Sequence, residues 1–258
     1  MCGACDLSRR TLLTALAASA AAACSQNPET GRSQLAFVPD SQLSALADQA
    51  WAQVAAQIPP VADPAAHERL ARIGAPLVRA GGREDLNWRF TVLDSPDFNA
   101  FVLPNGRVGF FKGLFDFAQS DAEIGAVLGH EIGHVVARHP SERVSQEVAV
   151  KAGVSLAQLL FSGEGGQNAE AIGAALGVGA AFGVLLPYSR RHELEADEVG
   201  VGLMREAGMD PTAALRFWER MAQREGGPQP PEVLSTHPAD GTRLEALRKV
   251  VGGATGDF

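Results

Sequence analysis

The stretch between Ser120 and Pro140 constrains this chain more than any other, because it predicts one capped helix that carries two histidines. Ser120 and Glu123 form a capping box, and apolar residues follow at helical spacing. The motif His-Glu-Ile-Gly-His, residues 130–134, lies in the second half of that helix. Residues four apart share a helix face, so both imidazoles can reach one metal ion while Glu131 points about 100° away. The sequence therefore predicts a metal centre on this helix.

This motif suits zinc-dependent hydrolysis. A catalytic zinc takes three protein ligands and keeps one position open, and His130 and His134 supply two of them. Glu131 stands beside that position, where a carboxylate can accept a proton from an attacking water. The alternative, two surface histidines on an ordinary helix, does not account for the cap.

Candidates for a third ligand lie in residues 189–197. Glu193 and Asp197 are four apart on a helix predicted over 191–207, so they share a face. One could bind the metal while the other orients a ligand histidine, and the spacing alone leaves that choice open. Glu195 points elsewhere on this helix and is expected to be solvated.

Composition narrows the function classes. A chain of 258 residues that is 46% apolar and 20% charged can bury a core of its own. The net charge of −8 argues against a nucleic-acid partner, because phosphate binding needs a basic face. All three cysteines lie within the first 24 residues, which excludes a thiol nucleophile and a cysteine metal site in the body of the chain.

The N-terminal pattern is typical of a targeting segment. Residues 1–23 contain Arg9-Arg10 followed by a short apolar run, as in a twin-arginine export signal. Cys24 follows three alanines and resembles the lipidated cysteine of a bacterial lipoprotein, whereas plain cleavage with an incidental Cys24 is the alternative. We therefore expect an exported, periplasmic protein of a Gram-negative bacterium, with a lipid on Cys24 anchoring it to the outer or inner membrane.

The remaining pattern predicts an α+β fold that is mostly helical, with a small antiparallel sheet. We expect a linker at 24–39, one domain at 40–251 and a tail at 252–258. A strand is predicted over 86–93, and a hairpin around Pro104-Asn105-Gly106 joins strands at 100–103 and 107–111. Residues 171–188 carry no charge but are rich in glycine and alanine, which favours a helix packed within the domain over a membrane span.

Several motifs together resemble the HtpX and CAAX-prenyl-protease-like family of zinc metallopeptidases, and in particular its periplasmic lipoprotein branch for protein quality control. They are the His-Glu-Ile-Gly-His motif, the Ser-Arg-Arg-His-Glu-Leu-Glu-Ala-Asp segment at 189–197, His237-Pro238 with Arg243, residues 99–104 and the Asn-Pro-Glu-Thr-Gly-Arg segment at 27–32. The resemblance covers roughly residues 27–248.

This resemblance implies a zincin-type, gluzincin-like catalytic domain with one Zn²⁺ per chain. It implies that the metal ligands are His130, His134 and Glu193, and that Glu131 is the general base. It gives Asp197 a supporting role behind the ligands, and Arg243 the role of placing the segment that carries His237. The same resemblance lets His237 approach the metal, either as an inhibitory fourth ligand or to stabilise the oxyanion. His139 and His192 lie outside the family pattern and are expected at the surface.

The predicted activity is hydrolysis of internal peptide bonds in misfolded or unassembled cell-envelope proteins, held by pairing with an exposed strand near residues 100–111. Three alternatives stay open at this point. The chain could be an assembly factor or chaperone whose protease is latched by His237. It could be an integral membrane protease with residues 171–188 inserted, or a protein with a purely structural zinc. The sequence leaves the oligomeric state open.

Overall fold

The computed structural model describes residues 24–162, 188–223, 237 and 241–253. The predicted export signal, most of residues 171–188 and the end of the predicted tail lie outside the described residues. Within the described part the protein is mostly helical, as the sequence predicts, and it has two small sheets where one was predicted. No helix in these ranges is long and apolar enough to cross a membrane.

Thirteen elements make up this part of the chain. In order they are β1 (Cys24–Gln26), β2 (Ser33–Leu35), α1 (Asp40–Gln57), α2 (Pro64–Ala80), β3 (Arg89–Leu93), β4 (Ala100–Val102), β5 (Arg107–Phe111), α3 (Lys112–Phe117), α4 (Asp121–Val136), α5 (His139–Ser162), α6 (Arg190–Glu206), α7 (Thr212–Gln223) and α8 (Gly241–Val251).

The larger sheet is mixed, which corrects the predicted antiparallel one. Its order is β3-β5-β4, with β5 parallel to β3 and antiparallel to β4. The hairpin around Gly106 is present, but the chain reverses twice between β3 and β5, so those two strands run the same way. Four of the five residues of β5 are buried, which suits the centre of the sheet, and the three-residue β4 lies at its edge.

The predicted linker at 24–39 contains structure. Strands β1 and β2 pair in antiparallel register around a turn in which the Asn27 carboxamide oxygen accepts hydrogen bonds from the Glu29 and Thr30 amides. Gly31 adopts the left-handed conformation that this turn requires, with φ of 67°. The hairpin is held to the domain by Asn27 and Arg32, whose side chains reach buried carboxylates. Sequence periodicity could not reveal these contacts, because they are polar and distant along the chain.

Helix α4 runs through the centre of the domain. The Ser120 hydroxyl accepts a hydrogen bond from the Glu123 amide, so the predicted N-cap is present, and every residue from Glu123 to Val136 is buried. The Glu123 carboxylate accepts from the amide of Gln119 and not from that of Ser120, so the capping box is only half formed. Helix α6 crosses α4 in direct backbone contact. A methyl group on Gly200 would lie 2.9 Å from the Gly129 carbonyl carbon and 2.9 Å from the His130 amide nitrogen. This close approach brings the two motif-bearing helices together.

Candidate metal centre

Four side chains that can ligate a metal converge where α4 meets α6. They are His130 and His134 of α4, Glu193 of α6 and His237, and one ligand atom from each lies within 4.8 Å of all the others. All four side chains are buried. The structure therefore brings together the three predicted ligands and the histidine that the resemblance places near them.

The spacing of these donor atoms fits a tetrahedral zinc ion. His130 Nε2 lies 3.1 Å from His134 Nε2 and 3.3 Å from one carboxylate oxygen of Glu193, and His134 Nε2 lies 3.5 Å from the other. Ligands about 2.0–2.1 Å from a tetrahedral zinc stand about 3.3–3.4 Å apart. Each of the three distances is within about 0.3 Å of that edge length, but His130 and His134 face different oxygens of Glu193. Imidazole and carboxylate are donors that zinc accepts.

His237 supplies the fourth donor of the cluster. Its Nδ1 lies 3.2 Å from His130 Nε2 and 3.0 Å from Glu193 Oε1. Its other ring nitrogen lies 3.4 Å from a carboxylate oxygen of Glu131. His237 thus faces both the candidate ligands and the candidate general base.

A carboxylate and a guanidinium support His130 from behind. His130 Nδ1 donates to Asp197 Oδ1 at 2.8 Å, which leaves Nε2 directed at the cluster. Arg243 donates to both oxygens of Asp197, at 2.7 and 2.8 Å, and to the His237 carbonyl oxygen at 3.2 Å. Arg243 also pairs with Glu193 at 2.9 Å. It therefore links Asp197 to the segment that carries His237.

The pKa shifts of the three candidate ligands differ in direction and cause. Burial lowers the pKa of His130, but Glu193 and Asp197 outweigh burial and raise that pKa to about 9. Burial also opposes ionisation of Glu193, yet His237, Arg243 and His130 hold its pKa well below the usual range. Burial and His130 together lower the pKa of His134. The second ligand histidine is thus neutral, as metal binding requires.

Glu131 differs from Glu193 in its surroundings. Burial is the largest influence on the carboxyl group of Glu131 and raises its pKa above the usual value, although His237 and His130 oppose this rise. A raised carboxyl pKa makes a stronger proton acceptor, which suits a general base near neutral pH.

The structure corrects three predictions of solvent exposure. His139, His192 and Glu195 are all buried, and they belong to a polar network behind His134. Helix α4 ends in a left-handed turn at Arg138, with φ of 58°, which brings the His139 ring under that of His134. Helical spacing predicts which residues share a face, but it does not show what a neighbouring segment places against that face.

Glu142 of α5 joins this network. It accepts hydrogen bonds from His192 and, through both oxygens, from Arg32, and Arg32 also binds Glu195. Burial raises the pKa of Glu142, but these hydrogen bonds outweigh it and hold the pKa at about 2. The pKa of Glu195 is likewise about 2, because hydrogen bonds from His139 and Arg32 outweigh its burial.

Two aromatic residues beside the cluster were missed from the sequence. The ring of Tyr188 stacks on that of His134, with 3.8 Å between centroids, and the Arg143 guanidinium lies 4.0 Å from the Tyr188 centroid. Trp218 of α7 packs edge-to-face on His130 and lies under the Arg243 guanidinium. Tyr188 is the one tyrosine of the chain and directly precedes residues 189–197. That position next to a predicted ligand segment could have marked it as a candidate site residue.

Comparison with known proteins identifies the family. The chain is 36% identical to the mitochondrial metalloendopeptidase OMA1 of Schizosaccharomyces pombe over 70% of this chain and 51% of that protein. It is 30% identical to human mitochondrial OMA1 over 87% of this chain and 45% of that protein. It is 28% identical to the beta-barrel assembly-enhancing protease of Yersinia pestis over 86% of this chain and 46% of that protein. The chain thus spans about half the length of these relatives.

These relatives overturn the predicted localisation. Those from fission yeast, cattle, budding yeast and human are mitochondrial by name, which contradicts an exported, lipid-anchored location in the periplasm. An arginine pair followed by a short apolar run is weak evidence for an export signal, because so short a pattern also occurs in other segments.

The predicted enzyme class and broad family are confirmed. The relatives are metalloendopeptidases or proteases by name. The model of Peptidase family M48 matches residues 64–251, which span the candidate ligands, Glu131 and Arg243. The chain therefore belongs to peptidase family M48.

Proposed function

We propose that this chain is a zinc-dependent metalloendopeptidase in which His130, His134 and Glu193 hold one Zn²⁺ and Glu131 is the general base. The observation that carries the proposal is the buried set of two imidazoles and one carboxylate, with 3.1 to 3.5 Å between their facing atoms and Glu131 one residue from His130. A bound zinc supplies Lewis-acid polarisation of the scissile carbonyl and a nucleophilic water. A structural zinc would not need Glu131 beside it.

The protein's own residues supply proton transfer and orientation. Glu131 accepts the proton of the attacking water and passes it to the leaving amine, which its raised carboxyl pKa favours. Asp197 fixes the tautomer and ring orientation of His130 through the 2.8 Å hydrogen bond to Nδ1. Arg243 keeps Asp197 ionised and in place, since it donates to both of its oxygens.

Substrates are proposed to be unfolded or unassembled polypeptides, held as an added strand. Strand β4 lies at the edge of its sheet and packs against α4, which carries the metal motif. An extended peptide paired with that edge would be held mainly by backbone hydrogen bonds, so the side-chain preference would be broad. The name of the Yersinia relative, which refers to β-barrel assembly, supports unassembled β-barrel proteins as one substrate class.

The test compares the full chain with its Glu131→Gln variant, and Glu206→Gln of α6 serves as a surface control. We expect about one zinc per chain in all three proteins. Casein cleavage should fall at least 10²-fold in Glu131→Gln alone, because loss of a general base costs about 10²–10⁴ in rate. Equal cleavage by wild type and Glu131→Gln, or no zinc in any of the three, would refute the proposal.

A second candidate is an assembly factor that binds unfolded chains while its protease is latched. The observation that favours it is His237, whose Nδ1 lies 3.2 Å from His130 Nε2 and completes the set of four donors. A fourth protein ligand would close the position that catalysis needs.

His237→Ala separates the two roles of this residue. Cleavage that rises above wild type would support the latch. Cleavage that falls while zinc content is unchanged would instead support stabilisation of the oxyanion by His237, as expected of a donor beside the reacting carbonyl.

A further inference from the structure

The two ligand histidines of α4 are supported in different ways. His130 donates directly to the Asp197 carboxylate, which Arg243 clamps. Among the residues that the structure describes, no carboxylate bonds to the second nitrogen of His134. Its Nδ1 lies 2.9 Å from Nδ1 of another buried histidine, His139. The family pattern found in the sequence does not include His139, so its place behind a metal ligand calls for an explanation.

The positions of the protons follow from the contacts of this pair. If Nε2 of His134 faces the metal, its Nδ1 carries the hydrogen and donates to Nδ1 of His139. His139 Nδ1 is then the acceptor, so its own hydrogen lies on Nε2. That nitrogen lies 2.9 Å from Glu195 Oε2, which accepts the hydrogen. The chain His134–His139–Glu195 thus has one consistent direction of donation, and it ends on a carboxylate.

Glu195 is held in turn by the β1–β2 hairpin. Arg32 donates to Oε1 at 2.6 Å and to Oε2 at 3.1 Å, and the Asn27 carboxamide donates to Oε2 at 3.1 Å. The Glu195 side chain is 1% exposed and that of Arg32 is 11% exposed. A buried carboxylate needs such partners to stay ionised and fixed in direction. On α6, Arg191 also approaches Glu195, but only to 3.6 Å and from an exposed position.

We propose that Arg32 and Asn27 are positioning residues for the metal centre, acting on His134 through Glu195 and His139. Arg32, Asn27, Glu195 and His139 are together called the relay below. The proposal rests on the proposed function, in that it takes His134 as a zinc ligand. Residues 24–35 precede the part of the chain that the family model matches. The proposal gives them a role in holding His134 through the relay. Groups behind a ligand histidine typically change metal affinity 10–100-fold.

The experiment measures zinc affinity by competition with a chromogenic chelator on the full chain. We expect Arg32→Ala to weaken zinc binding 10–100-fold. Arg32→Lys should recover part of the loss, because it keeps the charge but a lysine cannot bind both carboxylate oxygens in the same fork. Asn27→Asp keeps the acceptor that forms the turn but sets a second carboxylate against that of Glu195, so zinc binding should weaken in this variant as well.

Arg220→Ala is the matched control. Arg220 is partly buried and pairs across two helices with buried Glu123, but it lies outside the relay. Zinc affinity of this variant should stay within about threefold of wild type, since the ligands keep their supporting groups. Urea unfolding of the metal-free proteins reports any general loss of stability. If Arg32→Ala and Arg220→Ala weaken zinc binding equally, the effect is one of stability and the proposal is overturned.

Visible absorption of the Co²⁺-loaded protein gives a second readout, because the bands of bound Co²⁺ depend on ligand geometry. The relay predicts altered bands in Arg32→Ala and unaltered bands in Arg220→Ala. Arg32→Ala with wild-type bands and wild-type zinc affinity would overturn the relay while leaving the proposed peptidase intact. Conversely, undiminished cleavage by Glu131→Gln would refute the proposed function without affecting these binding results.

Discussion

A methyl group added at Gly200 tests whether the backbone contact between α4 and α6 sets the geometry of the metal centre. In Gly200→Ala the new Cβ would lie 2.9 to 3.0 Å from backbone atoms of Gly129 and His130. Ordinary contacts of this kind begin at 3.4 Å, and no side-chain rotation can relieve a clash with backbone. The helices must therefore separate by about 0.5 Å, which is well beyond the tolerance of about 0.2 Å for metal–ligand distances.

The chain offers a control on the same helix. At Gly202 a new Cβ would meet nothing within 4 Å. Both substitutions gain about 1 kcal/mol from the higher helix propensity of alanine. Only Gly200→Ala incurs an overpacking cost of about 1–3 kcal/mol. Subtracting the two unfolding free energies cancels the propensity gain, so Gly200→Ala should be about 1–3 kcal/mol less stable than Gly202→Ala.

Urea unfolding of the metal-free variants, followed by circular dichroism, measures this difference, and zinc competition measures the effect on the site. Zinc binding should weaken in Gly200→Ala and stay at the wild-type level in Gly202→Ala. Equal stability and equal zinc affinity in the two variants would refute the argument that this contact holds His130 at its distance from Glu193.

Three further outcomes are expected. Ser120→Ala should lower the free energy of unfolding by about 1 kcal/mol in urea melts, since the Glu123 amide loses its acceptor. Ser120→Thr keeps a hydroxyl and should lose less stability. Equal losses of stability in the two variants would contradict the role of Ser120 as the cap. Glu142 and Glu195 should stabilise the fold fully above pH 4.5 and lose this effect as the pH falls towards 2, because both pKa values are about 2; a flat urea midpoint from pH 5 to 2 would contradict this. A chain that starts at residue 40 lacks Arg32, the ion-pair partner of the buried carboxylates of Glu142 and Glu195. Its free energy of unfolding should be lower than that of a chain that starts at residue 24, by up to about 5 kcal/mol. Equal urea midpoints of the two chains would refute this prediction.

Local signals in the sequence predicted much of the scaffold. Apolar residues recur at helical spacing between Asp40 and Gln57, and α1 has these bounds. Helix α4 begins at the Ser120 cap. The two histidines of the motif share a face because a helix repeats every 3.6 residues, which holds whatever packs around it. The hairpin around Gly106 was also predictable, since its turn residues are contiguous.

The features that sequence reasoning missed are those set by distant partners. Glu195 was expected in solvent because it points away from Glu193 and Asp197, yet the opposite side of α6 is covered by Arg32, 163 residues earlier in the chain. The parallel pairing of β3 with β5 depends on which edge of a hairpin the earlier strand joins, and strand patterns do not encode that edge.

Helix α6 explains why the two ends of the described domain meet at the metal centre. Glu193, Glu195 and Asp197 are all buried, and three buried carboxylates on one helix need cations from elsewhere. Arg243 of α8 pairs with Glu193 and Asp197, whereas Arg32 of the N-terminal hairpin pairs with Glu195. Since the arginines come from opposite ends of the described residues, all three carboxylates have these partners only when both ends pack against α6. Charge pairing thus holds the N-terminal hairpin and α8 to the helix that carries Glu193.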